Sequence, residues 1–309
     1  MELGFATTTD DVTSGQDLTG TVALVTGASS GLGRETARAL AAVGSHVILA
    51  GRNDEKLAAV AQQITEKAPQ ASVEVGHLDL TSLAQVRRFA EDFLAEHDRL
   101  HLLINNAGVM ATPLERTADG FELQFGTNHL GHFLLTCLLA PAILRDAPSR
   151  IVNLSSGGHL ASDIVWDDPN FERGTYDPFV AYGQSKTANI LFTLELERRL
   201  SARGVHAYAV HPGLVGTALG RYMTPEVVAQ LMEKAKQGGG MPTRKSLEQG
   251  AATSVWAATA PGLEAVGGSY LADCQVSDHY APWAVDPEAA ARLWTLSEEL
   301  VGQQFSLAS

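Results

Sequence analysis

Residues 21–33 read TVALVTGASSGLG, and this stretch decides the fold. Its first half is a short apolar, β-branched run that predicts a buried strand. Its second half places glycines at positions 27, 31 and 33, and the helical pattern ETARALAAVG follows at 35–44. Backbone N–H groups in such a turn can approach a pyrophosphate, whose charge lies at the positive end of the helix. The spacing is G-x-x-x-G-x-G rather than G-x-G-x-x-G, so a turn that only packs helix on strand is the alternative.

The same strand–helix unit repeats along the chain. The further predicted strands are HVILAG (46–51), SVEVGHLDL (72–80), LHLLINNAG (100–108), RIVNLSS (150–156), VHAYAVHPG (205–213) and GGSYLADC (267–274). Near-continuous apolar strands alternating with helices indicate a parallel sheet covered on both faces. We therefore predict one doubly wound, Rossmann-type α/β domain with a parallel sheet of about seven strands. Residues 1–17 are a predicted polar lead-in to a domain at 18–309, and Asp54 is expected to cap the helix after the second strand.

Composition limits the classes of partner and compartment. The chain has 309 residues, 45% of them hydrophobic, and a net charge of −13. An acidic chain is a poor match for nucleic acid or anionic membranes, which both favour basic surfaces. Cys137 and Cys274 lie far apart, which fits a reducing compartment. We find no apolar run near the ~20 residues of a membrane span and no secretory layout at the N-terminus, so we expect a cytoplasmic protein.

A tyrosine and a lysine stand one helical turn apart in AYGQSKTANI at 181–190. Residues at i and i+4 share a helix face, so the phenol of Tyr182 and the ammonium of Lys186 can contact the same ligand. The alternative is a surface tyrosine beside a lysine whose stem covers apolar surface. Taken alone, the pair does not decide between these interpretations.

Three motifs in this order resemble the short-chain dehydrogenase/reductase family: T-G-x-x-x-G-x-G at 26–33, N-N-A-G at 105–108 and Y-x-x-x-K at 182–186. The resemblance extends over roughly residues 18–302. More narrowly, the chain resembles the retinol dehydrogenase-like branch. The segments that carry this narrower resemblance are TNHLGHFLLT (127–136), RIVNLSSGGH (150–159), GGSYLADCQV (267–276) and ARLWTLSEELVG (291–302).

The resemblance implies four catalytic residues. Tyr182 would be the general acid that protonates a carbonyl oxygen during reduction, and the base in the reverse direction. Lys186 would hold the nicotinamide ribose and lower the phenol's pKa from ~10, because a cation ~4 Å away is worth about 4 kcal/mol at an effective dielectric of ~20. Strand alternation allows only one of Ser155 and Ser156 to bind the substrate carbonyl, and the motif indicates Ser156. Asn128 would anchor a water that leads to the lysine.

The resemblance also implies the residues that hold a nicotinamide dinucleotide. Among them, Asp79 would contact adenine and Thr217 would bind the nicotinamide amide. The full set of implied cofactor contacts is Gly27, Ser29, Ser30, Gly31, Leu32, Gly33, Arg52, Asp79, Leu80, Asn105, Ala107, Gly108, Tyr182, Lys186, Pro212, Gly213, Val215 and Thr217.

The end of the second strand bears on the choice between NADP and NAD. An acid there would bind the ribose 2′-hydroxyl, whereas a base would favour the 2′-phosphate. The strand runs into Arg52 and Asn53, and the nearest acid, Asp54, is the expected helix cap. Ser30 stands where many family members carry a further base. We favour NADP over NAD.

Two segments bear on the substrate pocket. Ser156 and Tyr182 are 26 positions apart, and the intervening ASDIVWDDPNFERGTYDPF (161–179) resembles an insertion common in the retinol dehydrogenase-like branch. Residues 219–243 are a predicted substrate lid, with an amphipathic run followed by three glycines. Its apolar face would cover an apolar substrate or pack onto another copy in a homo-oligomer, and both alternatives stay open.

The predicted function is an NADP-dependent alcohol dehydrogenase or carbonyl reductase acting on a small, apolar molecule. A C=C (ene) reductase on the same scaffold is the alternative enzyme, and a non-catalytic dinucleotide sensor is the alternative outside catalysis. His129, His132 and His211 lack a third ligand at motif spacing, so we expect no metal at these histidines.

Overall fold

The computed structural model describes residues 3–223 and 243–305. Its strands are β1 (Val22–Thr26), β2 (His46–Gly51), β3 (Ser72–His77), β4 (Leu102–Asn105), β5 (Ser149–Leu154), β6 (Val205–His211), β7 (Leu214–Val215), β8 (Arg244–Lys245), β9 (Tyr270–Ala272) and β10 (Gln275–Val276). Eight of them form one sheet in the order β10–β9–β6–β5–β4–β1–β2–β3, and β7 pairs separately with β8. Only β10 runs antiparallel to its neighbour in the eight-stranded sheet. The predicted doubly wound fold is confirmed, with this short edge strand added.

Helices cover both faces of the sheet. They are α1 (Thr9–Thr13), α2 (Gly31–Ala42), α3 (Asp54–Lys67), α4 (Leu83–Glu96), α5 (Leu123–Arg145), α6 (Pro178–Leu200), α7 (Leu247–Thr259) and α8 (Pro287–Val301). Helix α5 contains a π-type turn at Gly126–Leu130. Two 3₁₀ turns matter for the site, one at Gly157–Ala161 and one at Ala218–Tyr222.

Strand alternation produces two hydrophobic cores. In β1, Leu24 belongs to the core under α4, α5, α6 and α8, whereas Ala23 and Val25 belong to the core under α2, α3 and α7. In β2, Ile48 lies in the first of these cores, and its neighbour Leu49 lies in the second. Successive side chains of a strand point to opposite faces, so a strand buried on both sides must be apolar at every position.

The cap of helix α3 differs from the prediction. Asn53, with extended backbone, accepts a hydrogen bond from the Lys56 N–H at 2.8 Å, and Asp54 is the first helical residue. The prediction that Asp54 caps this helix was wrong by one position, because both residue types are good caps and only backbone geometry separates them. The Asp54 carboxylate lies 2.9 Å from Nδ1 of His77 instead.

The N-terminal segment packs onto the domain. Val12 of α1 is buried in the core beneath α2 and α7. Arg38 of α2 donates to Asp10 at 2.6 Å, and the hydroxyl of Thr9 donates to Glu35. The described part of the polar lead-in therefore belongs to the same folded unit as the rest.

Helix α5 bears on the expectation that no segment of the chain could span a membrane. Its 23 residues are long and apolar enough to cross a membrane, and 83% of its most apolar window is buried inside the fold. Gly126, Asn128 and other polar or small residues interrupt the apolar run at its start, so the sequence shows no continuous apolar stretch of this length. In this structure α5 is a core helix, packed between β4 and the neighbouring α4 and α6.

Candidate active site

A cavity of 1310 Å³ lies at the carboxyl ends of β1, β2, β4, β5 and β6. It opens where the strand order reverses between β1 and β4, the usual ligand position in doubly wound sheets. All predicted catalytic and cofactor residues line it except Asn105 and Asn128. The lining residues that the sequence analysis did not assign to the site include Thr26, Asn53, Lys56, Asn106, Met110 and Thr127.

Close backbone approach explains two glycines of the first turn. Gly27 has a φ of +67°, and an added Cβ would lie 2.8 Å from Cα of Ala107. A Cβ at Gly33 would lie 2.6 Å from the Gly27 carbonyl oxygen. Ser30 is the N-cap of α2, yet its side chain forms no capping hydrogen bond. The first N–H groups of α2 therefore face the cavity without a side-chain cap, as an anion site requires.

The Thr26 hydroxyl connects the two loops that form the cavity floor. Its Oγ1 accepts the backbone N–H of Asn106 at 2.9 Å and of Ala107 at 3.0 Å. It also lies 2.8 Å from Nε2 of His132, whose Nδ1 lies 3.0 Å from the Asn128 carbonyl oxygen. Since that carbonyl can only accept, Nδ1 carries the proton and Nε2 accepts from Thr26. The motifs at 26–33 and 105–108 are thus held together through one side chain.

Asn105 and Asn106 point in opposite directions at the end of β4. The Asn105 amide donates to Asn153 at 2.8 Å and to Thr136 at 3.0 Å, both inside the core. The Asn106 amide donates to the Thr26 carbonyl at 2.7 Å, and Asn106 lines the cavity. The assignment of the Asn105 side chain to the cofactor site is therefore corrected. Adjacent residues at a strand end point in opposite directions, and the motif alone does not say which one points outward.

Asn128 lies behind the cavity wall. It is fully buried in the π-type turn of α5, and it exchanges two hydrogen bonds with the backbone of Val109, at 2.8 and 2.9 Å. Its amide also donates to Ser185 at 2.9 Å. A Cβ added at Gly108 would lie 3.2 Å from Asn128 Oδ1 and 3.7 Å from Lys186 Nζ. Asn128 is therefore a positioning residue close to Lys186 and does not reach the cavity itself.

Tyr182, Lys186 and Ser156 meet on the cavity wall. Helix α6 begins with Asp177 as N-cap and Pro178 in its first turn, which places Tyr182 and Lys186 on the inward face. Ser156 lies next to Tyr182, since a Cβ added at Gly158 would lie 2.7 Å from Tyr182 Cε1 and 3.4 Å from Ser156 Oγ. Lys186 Nζ lies 5.7 Å from the Tyr182 ring centroid and donates to the Leu154 carbonyl at 2.9 Å.

Burial shifts the pKa values of Tyr182 and Lys186. It raises the pKa of Tyr182 to about 12, against a lowering by the neighbouring Ser156 hydroxyl. It lowers the pKa of Lys186 to about 8. In the protein alone, the net shift of the Tyr182 pKa is therefore upward, opposite to the expected direction, because loss of solvent disfavours the phenolate. At neutral pH the phenol keeps its proton.

The structure distinguishes the two serines at the end of β5. Both line the cavity, and the Ser155 hydroxyl donates to the backbone carbonyl of Lys186 at 2.9 Å. Ser156 accepts the Gly158 N–H at 3.0 Å and contacts Tyr182. Of the two, Ser156 reaches the phenol, as the motif indicates.

Glycines bring the turn at Gly157–Ala161 against helix α6. A Cβ at Gly158 would lie 2.7 Å from Cε1 of Tyr182, and one at Gly183 would lie 2.9 Å from the Gly158 carbonyl oxygen. The Tyr182 ring therefore lies against the backbone of Gly158, at a distance that a side chain at position 158 would not allow.

The insertion at 161–179 is tied to the loop that precedes α5. The Tyr176 hydroxyl lies 3.0 Å from both the Thr112 carbonyl oxygen and Glu122 Oε1, and the Glu122 N–H donates to Asn170 at 3.0 Å. Among the described residues, none of the insertion lines the cavity. The insertion thus lies outside the catalytic group, although it precedes α6 directly.

The end of β2 presents two cations to the cavity. Arg52 and Lys56 both line it, on either side of the helix cap Asn53. The acid that competed with Arg52 in the sequence, Asp54, lies against His77 instead. After the neighbouring strand β3, the Asp79 carboxylate accepts the N–H of Thr81 at 2.9 Å, which shapes the turn there.

Apolar side chains also line the cavity, together with the cations Arg221 and Arg244. The apolar residues of the lining include Met110, Leu214, Leu219, Tyr222 and Met223. Of the predicted lid at 219–243, residues 224–242 lie outside the described part of the chain. The described residues on either side, 219–223 and Arg244, line the cavity.

The histidines of α5 are neutral and engaged in the core. Burial lowers the pKa of His129 to about 3 and that of His132 to about 4. His129 Nε2 lies 2.8 Å from the Ser297 hydroxyl, whereas His132 contacts Thr26. The two rings bind different partners and do not converge on one point with His211.

Comparison with known proteins extends these observations. The family model for short chain dehydrogenase matches residues 21–227. Retinol dehydrogenase 11 of Mus musculus is 45% identical over 94% of this chain and 89% of its own length. A crystal structure of a putative uncharacterized protein from Mycobacterium paratuberculosis matches with a TM-score of 0.76 and 36% identity, over 97% of this chain and 99% of that one. A putative NAD(P)-dependent gluconate 5-dehydrogenase from Beutenbergia cavernae, solved with bound NADP, matches with a TM-score of 0.66 and 28% identity, over 83% and 96%.

The matched region contains the glycine turn, the N-N-A-G loop and the Tyr182–Lys186 pair around one cavity. Family members are oxidoreductases that use a nicotinamide dinucleotide to interconvert alcohols and ketones or aldehydes. The chain belongs to the short-chain dehydrogenase/reductase family and is similar to the retinol dehydrogenases within it.

Proposed function

We propose that this protein is an NADP-dependent carbonyl reductase and alcohol dehydrogenase acting on an apolar substrate. The observation that carries the proposal is the contact of Ser156 with Tyr182 beside Lys186, on the wall of a cavity that also contains the glycine turn. The cofactor, when bound, supplies or accepts the hydride. The protein's own residues then have to hold the carbonyl and move one proton.

Protonation of Tyr182 supports reduction at neutral pH. A phenol whose pKa is raised to about 12 keeps its proton and can donate it to a carbonyl oxygen. Ser156, next to the same phenol, would donate to that oxygen as well and so fix its position. Lys186, as a cation next to the phenol, would stabilise the phenolate left behind. In the oxidation direction, the same phenolate would accept the alcohol proton.

Two cations support NADP over NAD. Arg52 and Lys56 line the cavity at the end of β2, where an NAD enzyme would place an acid for the ribose 2′-hydroxyl. A guanidinium and an ammonium provide charge-assisted hydrogen bonds to a 2′-phosphate. The Asp54 carboxylate, 2.9 Å from His77, does not line the cavity and so leaves this position basic.

The apolar residues of the cavity lining support an apolar substrate. Met110, Leu219 and Met223 offer flexible hydrophobic contacts and Tyr222 an aromatic one, with Tyr182 as the proton donor. Similar proteins named retinol dehydrogenases suggest a long, apolar aldehyde or alcohol as the first probe. A cytoplasmic location and a homo-oligomeric state stay predictions from the sequence.

Turnover with a small substrate panel tests the proposal. Oxidation of NADPH would be followed with retinaldehyde, with the polar keto acid 5-ketogluconate, and with a conjugated enone whose C=C bond is reducible. We expect turnover of retinaldehyde, with the alcohol as product and kcat/KM well above that for the keto acid. Saturation of the enone C=C bond instead would support the ene reductase, and binding of NADPH without turnover of any substrate would support a dinucleotide sensor.

A further inference from the structure

Three side chains with metal-binding atoms meet at the amino ends of β2 and β3. Nε2 of His46 and Nε2 of His97 each lie 3.3 Å from Oε2 of Glu74. One ligand atom from each residue lies within 4.8 Å of the other two. The side chains are 28%, 37% and 16% exposed for His46, Glu74 and His97, so the group is partly buried and still open to solvent.

Sheet register brings these residues together. His46 pairs with Ser72 and Ile48 with Glu74, so the side chains of all four point to the same face. Helix α4 covers this face and returns the chain to the amino edge, where His97 ends the helix. The group therefore lies at the edge of the sheet opposite the cavity. It is separate from the residues proposed for catalysis.

The two histidine–glutamate distances match those of a tetrahedral zinc site. Zinc binds imidazole nitrogen and carboxylate oxygen at ~2.0–2.2 Å, which places tetrahedral neighbours about 3.3 Å apart. Both histidine–glutamate distances have this value. Two histidines and one carboxylate form a three-ligand set that leaves the fourth position for water.

Neighbouring residues hold the ligands in this orientation. Nδ1 of His46 lies 2.7 Å from the Ser72 hydroxyl, which leaves Nε2 to face Glu74. A hydrogen bond at the second ring nitrogen is the usual way in which a metal-binding histidine is oriented. The His97 ring packs 4.8 Å from the Phe93 ring, centroid to centroid.

We propose that His46, Glu74 and His97 form a binding site for a divalent transition metal of the zinc type. The metal would join β2, β3 and the end of α4 at the amino edge of the sheet. Its role would be structural, because the cavity lies at the carboxyl edge. The alternative is a metal-free cluster in which the two imidazoles contact the Glu74 carboxylate directly.

Calorimetric titration with Zn²⁺ tests this site. The full chain, without an affinity tag and treated with chelator, would be compared with His46→Ala, Glu74→Ala and His97→Ala. We expect one Zn²⁺ per wild-type chain, and affinity at least tenfold lower in each variant. Ser72→Ala removes only the residue that orients His46, and the expected loss is about 10- to 100-fold.

His77→Ala is the matched control. His77 lies at the other end of β3 and contacts only the Asp54 carboxylate among its described partners, so its loss should leave Zn²⁺ affinity unchanged. Wild-type protein should also unfold at a higher temperature with Zn²⁺ than without it, and the His97→Ala protein should not. Thermal unfolding without metal shows that each variant is folded.

Two results would overturn the proposal. One is the absence of saturable Zn²⁺ binding to wild type at concentrations up to about 1 mM. The other is equal affinity in wild type and His97→Ala, which would place the ion elsewhere on the chain. Both readouts are independent of NADPH turnover, so they stand whatever the enzymatic assays show.

Discussion

Lys186 Nζ lies 5.7 Å from the centroid of the Tyr182 ring and donates to the Leu154 carbonyl oxygen at 2.9 Å. The ammonium is thus near the phenol and is held from behind by the end of β5. Both groups are buried, and their pKa values move to about 12 and about 8, each away from the charged form. The proposed chemistry therefore starts from a neutral phenol beside a cation that titrates near the upper end of the physiological range.

Tyr182→Phe tests the proton donor. We expect kcat for carbonyl reduction to fall by about 10²- to 10⁴-fold, the usual contribution of general acid catalysis, with the Kd for NADPH nearly unchanged. Tyr208→Phe is the matched control, because the Tyr208 hydroxyl is buried in β6 without a hydrogen-bond partner. Steady-state kinetics and cofactor titration measure both quantities. More than a tenth of wild-type activity in Tyr182→Phe would refute the assigned role.

Arg52→Ala and Lys56→Ala test the cofactor preference. Each substitution should raise the KM for NADPH by roughly 10- to 100-fold and leave that for NADH nearly unchanged, since only the former carries the 2′-phosphate. Lys67→Ala, at the far end of α3, should affect neither cofactor. A wild-type enzyme that prefers NADH would already contradict the proposal.

The value of kcat/KM for reduction should depend on pH through the charge of Lys186. Its pKa of about 8 means that the ammonium is present below this pH and is lost as the pH rises through it, while Tyr182 keeps its proton. The value of kcat/KM for reduction should therefore fall above about pH 8, because kcat/KM reports the free enzyme. Initial rates from about pH 6 to about pH 10 with a non-ionising ketone test this. A profile that stays flat over that range would mean that the charge of Lys186 is not required.

Gly158→Ala tests whether the Tyr182 ring depends on close backbone contact. The added Cβ would lie 2.7 Å from Tyr182 Cε1, so the ring must move. A shift near 1 Å in a catalytic group costs about 10²-fold in rate, and we expect a loss of this order with the fold retained. Gly157→Ala is the control, since its Cβ would meet nothing closer than His211 at 3.7 Å. Equal activity in the two variants would show that the ring is not held by Gly158.

Acid should destabilise the protein through the histidines of α5. The pKa values of His129 and His132 are lowered to about 3 and about 4 in the fold, so between these values and 6.5 the unfolded chain binds more protons. Stability therefore falls as the pH drops below 6.5, by up to about 1.4 kcal/mol per pH unit for each histidine. Urea denaturation at a series of pH values measures the slope. His132→Asn should reduce it, and an unchanged slope would assign the acid sensitivity to other groups.

Local patterns in the sequence were enough to predict the fold, whereas the chemical class came from the resemblance of three motifs to the short-chain dehydrogenase/reductase family. Apolar strands alternating with helices require a doubly wound sheet, and the turn at 26–33 has to lie at the carboxyl end of its first strand. Helical spacing places Tyr182 and Lys186 on one face whatever the rest of the chain does. These inferences depend on periods of two and 3.6 residues, which are properties of the backbone.

Tertiary packing decided what periodicity leaves open. It turned Asn105 into the core and Asn106 toward the cavity, placed Asn128 behind the wall, and reversed the expected shift of the Tyr182 pKa. It also joined His46, Glu74 and His97, which no motif spacing connects. Side-chain direction at a strand end, loss of solvent and register between strands all depend on neighbours distant in the chain. The sequence determined which chemical groups were present near the cavity, and only the packed structure determined which of them face it and in which protonation state.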